Sequence, residues 1–378
     1  MNTKTRHPDC IIFTREWDDH AVALKLRLSQ IGISSRVVSW SNFPSNHRAS
    51  ISFSGRGETS IPLNLSIHPD QICHAKLFIF RKLPARNFSF CISANDVEFA
   101  KSETESFILG AYAIIAEKYR CINNPISGWL ASSKPFQIEL AQQIGFNIPS
   151  TIITNDPSKA LQFLRDHPCG VVAKSMRPGM WITKNGNVVP TLARVINSED
   201  IERNRSSILQ CPVIFQEYIS DGKDIRIVVI GRNVFSAYIK RRSIDYLTPD
   251  WKIEYYLNRN ILIEPIYIPD DISYLCIKLT RGLNLDYCVI DLRRDSNGRI
   301  YFLEINPYGQ WLWMDMVNNK FPLLDCFAKY VAKLLDINIK SCEKMHSIAN
   351  YLKRETIINE ARLTFSGESE EKTFFYFE

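Results

Sequence analysis

The hydrophobic pattern changes period several times along the chain. CIIFT at 10–14 is a continuous apolar run of strand length. Glu16–Gln30 carries Val22, Leu24, Leu26 and Leu28 in a helical segment, and SSRVVSW is β-branched after the Ile31-Gly32 stop. The order strand, helix, strand predicts a βαβ-like opening. Residues 41–75 are polar and rich in turn formers, KLFIFRKL reads as a further strand, and Asn95–Glu117 as a long helix. These segments group as a first α/β unit, 1–122.

From 123 the pattern shortens. Ser132 or Ser133 suits the cap of a helix Pro135–Ile144, because proline is tolerated in the first turn and Gly145 fits the stop. A strand at Thr151–Thr154, a helix at Pro157–Asp166 and a strand at Val171–Lys174 follow, and Asn185-Gly186 between strand formers signals a hairpin. Residues 123–212 read as a small lid domain. Residues 213–336 are strand-rich: VIFQEYI, DIRIVVI and NVFSAYI, with Gly231-Arg232-Asn233 turning between the last two, then YCVIDLRR and RIYFLEIN, closed by an apolar helix Leu323–Leu335. A charged extension, 337–378, carries a helix around Ser347–Leu363 and no catalytic motif. Covering an edge, mediating a homodimer and recruiting substrate are the roles open to it.

Composition narrows the class. The chain has 378 residues, 45% of them hydrophobic and 23% charged, which suits two to three packed units and excludes a mostly disordered chain. Lysine plus arginine exceeds aspartate plus glutamate by 6 (46 against 40), and the densest basic run is Lys240-Arg241-Arg242. That is too mild and too scattered for a dedicated nucleic-acid binder, and it favours a local pocket for anionic groups. The ten cysteines form no C-x-x-C pair, so zinc and thioredoxin-like readings fail. There is no signal-peptide core or membrane span, so no membrane partner is expected, and a reducing cytoplasm is the simplest home, with the cysteines as small buried residues.

The most informative stretch is DLRRDSNGRIYFLEINP, 291–307. Asn297-Gly298 between two strands is a strong hairpin signal. In a two-residue hairpin centred there Ser296 faces Arg299, Asp291 faces Glu304 and Val289 faces Asn306. Ile290, Leu292, Leu303 and Ile305 then share one apolar face, and Asp291, Glu304 and Asn306 share the other. Two carboxylates opposed at about 5 Å repel by roughly 3 kcal/mol at an effective dielectric near 20. A magnesium ion bridging phosphates would turn this repulsion into a binding site. Screening by Arg293, Arg294 and water accounts for the spacing equally well.

At this point the chain resembles a family. FLEINP at 302–307 with DLRR one strand earlier is similar to the metal-binding motif of ATP-grasp ligases, and the other pieces lie upstream in order: Lys134 in SSKPFQ, Lys174 closing VVAK, FQEYI, KDIR and the arginines of AYIKRRS. The resemblance spans about 125–336. It implies an α/β (α+β) ATP-grasp fold, with a pre-ATP-grasp N-terminal domain, a central lid and a C-terminal ATP-binding domain. By the same resemblance, Asp291, Glu304 and Asn306 hold Mg2+, and Lys134 and Lys174 set ammonium groups on the ATP phosphates. Gln216, Glu217, Tyr218 and Ile219 form a hinge against adenine, with Asp224 or Glu217 on the ribose. Arg226 and Arg241 neutralise the transferred phosphoryl and the tetrahedral intermediate. The implied chemistry is attack of a carboxylate on the γ-phosphate of ATP with loss of ADP, giving an acyl phosphate from which an amine or hydroxyl then displaces inorganic phosphate, under a lid that excludes water.

QEYISDGKDIRIVVIG is similar both to ribosomal-protein glutamyl ligases and to the maturases of microviridin-type graspetides. PDWK, EINPYGQWLWMD, LFIFRKL and ITNDPSKALQFL look more like the maturases, which link side-chain carboxylates of a ribosomal leader–core precursor peptide to Ser/Thr hydroxyls or Lys amines. An amino-acid ligase and a non-catalytic ATP-binding scaffold are the alternatives. Arg81 and the hairpin 181–190 are candidates for precursor contact. Trp311 and Trp313 alternate after Asn306, with core packing as their preferred role.

Overall fold

The computed structural model describes residues 7–39, 43–44, 48–53, 64–67, 70–71, 75–82, 92–177, 180–182, 188–240, 249–252, 261–339, 345–350 and 352–364. The chain forms two compact units. One takes residues 1–129, 284–287 and 307–377, and the other takes 130–283 and 288–306. The segments 123–212 and 213–336 thus fall mostly within one unit, while the described part of 337–378 joins the N-terminal segment.

The first unit is built on four parallel strands in the order β2-β1-β6-β7: β1 Cys10–Thr14, β2 Ser35–Ser39, β6 Leu77–Phe80 and β7 Arg120–Ile122. β1 and β6 are buried along their whole length, which explains why both read as continuous apolar runs rather than alternating ones. Phe13 stacks on Phe80 at 5.2 Å, and Tyr112 of the helix Val97–Lys118 closes the cluster. The polar stretch 41–75 holds a small antiparallel sheet that its turn-rich composition hid: β3 Ala49–Ser52, β4 Asn64–Ile67 and β5 Asp70–Gln71.

The extension has a role in this unit. Asp315, fully buried on the helix Leu312–Val317, accepts hydrogen bonds from Leu324 N–H at 2.8 Å and Ile348 N–H at 2.9 Å. Asp325 accepts from Arg27 and from His346 N–H. Lys25 pairs with Glu360 at 2.6 Å on the helix Arg354–Thr364. The described part of the extension is thus tied to the helices that carry Lys25, Asp315 and Asp325.

Trp311 and Trp313 are core residues of the same unit; Trp311 stacks on Phe327 at 5.6 Å and meets His20 edge-on. Arg81 is not on the surface as a peptide contact requires. It is fully buried, donates to Tyr287 Oη at 2.6 Å and lies 3.6 Å from the buried Asp18 carboxylate.

The second unit holds two larger sheets. In one, β12 Arg194–Ile196, β9 Val171–Lys174, β13 Val213–Glu217 and β8 Thr151–Thr154 pair antiparallel in that order. Three helices, Pro157–Asp166, Ser198–Arg203 and Arg205–Gln210, pack on it around Ala160, Ile201, Ile208 and Phe215. Asp156 caps the first of these through Ser158 N–H, and Asn197 with Asp200 forms a capping box on the second. β10 Met180–Ile182 pairs with β11 Val188–Pro190, so the hairpin expected there has its two strands, while its Asn185-Gly186 turn lies outside the described residues.

The other sheet runs β16 Leu262–Pro265, β15 Asn233–Lys240, β14 Lys223–Ile230, β17 Tyr287–Arg294 and β18 Ile300–Asn306. Gly231-Arg232 forms the two-residue turn of β14–β15, with Gly231 at φ 61°. This sheet carries the candidate site.

Candidate functional site

β17 and β18 place the acidic pair. Asp291 lies opposite Glu304 and Val289 opposite Asn306, as the hairpin arithmetic requires. The turn itself differs from the two-residue expectation. Asp295 N–H bonds Arg299 O at 2.9 Å, Gly298 adopts φ 86°, and nearer the turn Leu292 pairs with Phe302 and Arg294 with Ile300. This is a three-residue loop with glycine in the left-handed region. A bulge between Asp291 and Leu292 on one strand, at Leu303 on the other, then restores the pairing of the acids. As a consequence Phe302, fully buried, takes the core position that the regular pattern gives to half-buried Leu303.

The helix Lys134–Ile144 is pinned against β18. The buried Gln137 side chain donates to Ile305 O at 2.8 Å and accepts from Ile305 N–H at 3.2 Å, and Asn147 O accepts from Phe302 N–H at 2.9 Å. Ser133 is the N-cap residue in extended conformation, but its side chain makes no capping hydrogen bond; Gly145 ends the helix at φ 115°. Lys134 at the first turn donates to Ser175 O at 2.9 Å and lies 3.8 Å from Glu304.

Lys174 ends β9 and donates to Gln216 Oε1 at 2.5 Å, while Gln216 donates to Thr151 Oγ1 at 2.9 Å. Burial lowers the Lys174 ammonium to about 8, with Lys134 and Lys252 adding to the effect and Glu304 opposing it. Gln216 is therefore a buried orienting group for Lys174 through its side chain.

The segment expected as the hinge is tightly engaged. Glu217 N–H bonds Ser150 O and Tyr218 N–H bonds Gly170 O. Arg293 donates to Ile219 O at 2.7 Å, to Ser220 O at 3.2 Å and to Asp224 Oδ1 at 2.7 Å, and its guanidinium lies over the Tyr218 ring at 5.6 Å. The Ile219 carbonyl and the Asp224 carboxylate, expected to face adenine and ribose, are thus held by Arg293. Glu217, whose carboxylate accepts from Ser150 N–H at 3.2 Å, remains the ribose candidate.

Asp224 and Arg226 share one face of β14, and on neighbouring β17 their partners Arg293 and Asp291 share a face as well. Arg226 donates to Asp291 Oδ1 at 2.8 Å, with both residues buried, and lies 5.2 Å from the Trp251 ring centroid. Two acid–base pairs thus cross the strands with opposite polarity. Arg241 lies outside the described residues.

Sequence reasoning missed Lys252. Its ammonium is 3.2 Å from Asp291 Oδ2 and hydrogen-bonds Glu304 Oε1. The electrostatic conflict of the acidic pair was the signal for such a cation, and PDWK supplies it, but nothing in the spacing ties 252 to 291. Burial would raise the Glu304 carboxyl; Lys252 above all, then Lys134 and Lys174, outweigh it and hold Glu304 well below the usual carboxylate range. Burial would likewise lower Lys252, and Glu304, Asp291 and Asp250 drive it upward instead.

Asn306 ends β18 exposed, two residues beyond Glu304. Two carboxylates and an amide on one strand pair are the hard oxygen donors that magnesium takes, so the donor set fits that ion, with cationic side chains nearby for anionic phosphates.

A family model described as the RimK-like ATP-grasp domain matches residues 131–318. Among solved structures, a RiPP-associated ATP-grasp ligase of Chryseobacterium gregarium, in complex with ADP and a leader and core peptide, superposes with a TM-score of 0.73 at 23% identity, covering 89% of this chain and 100% of that one. Macrocyclase MdnC of Microcystis aeruginosa MRC, bound with precursor peptide MdnA, gives 0.70 at 21% identity, covering 86% and 99%. A probable alpha-L-glutamate ligase of Histophilus somni (strain 2336) is 21% identical over 192 residues, 49% of this chain and 58% of the relative, so the chain spans little more than half the length of that curated protein. Among the described residues no helix is long and apolar enough to cross a membrane. Family match and fold agree: residues 131–318 of this chain are a RimK-like ATP-grasp domain.

Proposed function

We propose that this chain is a peptide macrocyclase, which uses ATP to activate Asp or Glu side-chain carboxylates of a ribosomal precursor peptide and joins them to Ser/Thr hydroxyls or Lys amines. The observation that carries the ligase chemistry is the meeting of Asp291 and Glu304 across β17–β18 within reach of Arg226, Lys134 and Lys252. The peptide reading is supported by the extent of the structural likeness, which includes the N-terminal unit, whereas the glutamate-ligase likeness covers 49% of the chain.

In this reading the substrate carboxylate attacks the γ-phosphorus of ATP and ADP leaves; the hydroxyl or amine then attacks the acyl carbon, inorganic phosphate leaves, and the nucleophile's proton passes to solvent. Each link removes one water from the peptide. Lys134 and Lys174 bind phosphate oxygens, Lys174 being oriented by Gln216. Arg226, fixed by Asp291 and Trp251, supplies positive charge where the phosphoryl group transfers, and Arg241 is the second candidate for that task. Mg2+ held by Asp291, Glu304 and Asn306 would supply charge neutralisation on the phosphates. The lid sheet excludes water from the acyl phosphate.

Incubation with ATP, Mg2+ and a precursor encoded beside the gene should give a product lighter by one water per link. A product heavier by an amino acid less water would establish the second reading, a glutamate-ligase-type activity, which the sequence relatives favour. ADP release with Glu304→Gln or Asn306→Ala equal to that of the parent would remove these residues from the site.

A further inference from the structure

Lys252 stands where a cation bound to the acidic pair would stand. Its ammonium contacts Asp291 Oδ2 at 3.2 Å and Glu304 Oε1, while the other oxygen of Asp291 takes Arg226 at 2.8 Å and the other oxygen of Glu304 faces Lys134 at 3.8 Å. Every carboxylate oxygen of the pair therefore has a cationic side chain near it. The neighbouring Trp251 is 7% exposed and anchors the segment, while the Lys252 side chain is 29% exposed and joins its ammonium to that anchor by a four-carbon stem.

A divalent ion seated between Asp291 Oδ2 and Glu304 Oε1 would lie against the ammonium that already occupies that position, and the two cations repel. We propose that Lys252 is an internal counter-cation of the metal pocket, which holds the acidic pair together before nucleotide arrives and yields its place to the divalent ion when the phosphates of ATP enter. The inference deepens the ligase reading and rests on Asp291 and Glu304 being metal ligands. Phosphates drive the exchange twice over, since they complete the shell of the ion and give the displaced ammonium a new anionic partner. Metal and nucleotide then bind with positive coupling, reciprocal between the two. The device also keeps metal from filling the pocket alone.

Mn2+ is the probe, with its binding to the full chain followed by electron paramagnetic resonance in the absence of nucleotide, and ADP affinity measured by calorimetry with EDTA or with saturating Mn2+. The parent should bind Mn2+ weakly alone and bind ADP more tightly with Mn2+. Lys252→Met should bind Mn2+ alone at least about tenfold more tightly than the parent and show a weaker dependence of ADP affinity on Mn2+. Lys252→Arg, which keeps the charge and anchors it through a bidentate fork, should bind Mn2+ alone no better than the parent; it serves as the deciding comparison if the methionine variant does not fold. Mn2+ affinity of Lys252→Met equal to or below that of the parent, or of Lys252→Arg above it, overturns the proposal. Glu304→Gln separates this from the underlying reading: if it retains the full Mn2+ effect on ADP affinity, the metal assignment itself falls.

Discussion

Arg293 offers the sharpest test of the proposed nucleotide hinge. Its three hydrogen bonds reach Ile219 O, Ser220 O and Asp224, and both charged partners are less than 10% exposed. Arg293→Met removes the guanidinium and with it the cation that Asp224 Oδ1 accepts from at 2.7 Å. Breaking a buried pair from one side costs about 3–5 kcal/mol, of which the uncompensated charge is the larger part. The double variant Asp224→Asn with Arg293→Met removes that charge and should recover about 2 kcal/mol, leaving about 1 kcal/mol for each hinge carbonyl that loses its donor. Urea unfolding reads the stability, and calorimetric titration with ADP reads the hinge.

The double variant should fold and still bind ADP about tenfold more weakly, because the 218–220 backbone has lost its clamp. Gly222→Ala is an independent route to the same state: a Cβ there would lie 2.4 Å from Arg293 Nε and 2.6 Å from its Cγ, so the clamp must shift. Equal destabilisation in the single and double variants would refute the charge argument. Unchanged ADP affinity in the folded double variant would refute the hinge argument.

Two buried ionisable groups, Lys174 and Asp315, give further outcomes. Lys174 loses its proton near pH 8 instead of 10.5, so its phosphate-binding charge fades as the pH rises through about 8; KM for ATP should climb above that pH and Lys174→Arg should flatten the profile, whereas a flat profile in the parent would remove Lys174 from the phosphate site. Stability moves the opposite way for this group, because between about 8 and 10.5 the unfolded chain binds the proton that the folded one has released. Asp315 is pushed up to about 6 by burial although backbone N–H groups of Leu324 and Ile348 donate to it. Its folded value lies above the ordinary 3.8, so its contribution to stability grows as the pH falls through about 6 and levels off near 4. Subtracting the urea stability of Asp315→Asn from that of the parent across this range should isolate the rise, and Asp315→Ala should lose about 2–4 kcal/mol by stranding two buried donors.

The sequence was readable where one local signal decides. β1 and β6 are buried on both faces and so appear as unbroken apolar runs, and Gly231-Arg232 turns between two strands of eight residues. The small sheet β3–β5 was hidden because strands of two to four residues in a polar stretch are too short to leave a periodic trace. Lys252 and Arg293 show a different limit. A lysine after a tryptophan and an arginine within DLRR look like ordinary solvated charges, and only strand adjacency reveals that one bridges Asp291 and Glu304 and the other holds Asp224 and the hinge carbonyls.

The hairpin of β17 and β18 explains why the acidic pairing was readable although its turn was not. A two-residue turn at Asn297-Gly298 makes opposed positions sum to 595; the observed loop makes them sum to 594 from Asp295 opposite Arg299 to Leu292 opposite Phe302. Carried on unchanged, that register would set Asp291 against Leu303 and leave Glu304 opposite Ile290, with the carboxylate facing the core. The bulge inserts one residue on β18 and returns the sum to 595 before the acids are reached. Both irregularities have a local cause, since Gly298 takes the left-handed conformation and Leu303 can sit half-buried without a partner position. Burying Phe302 and Ile305 on one side then forces the extra residue to fall between them, next to Glu304. The pairing of Asp291 with Glu304 is therefore fixed by the core residues that flank it rather than by the turn, which is why an incorrect loop still led to the correct pair of acids.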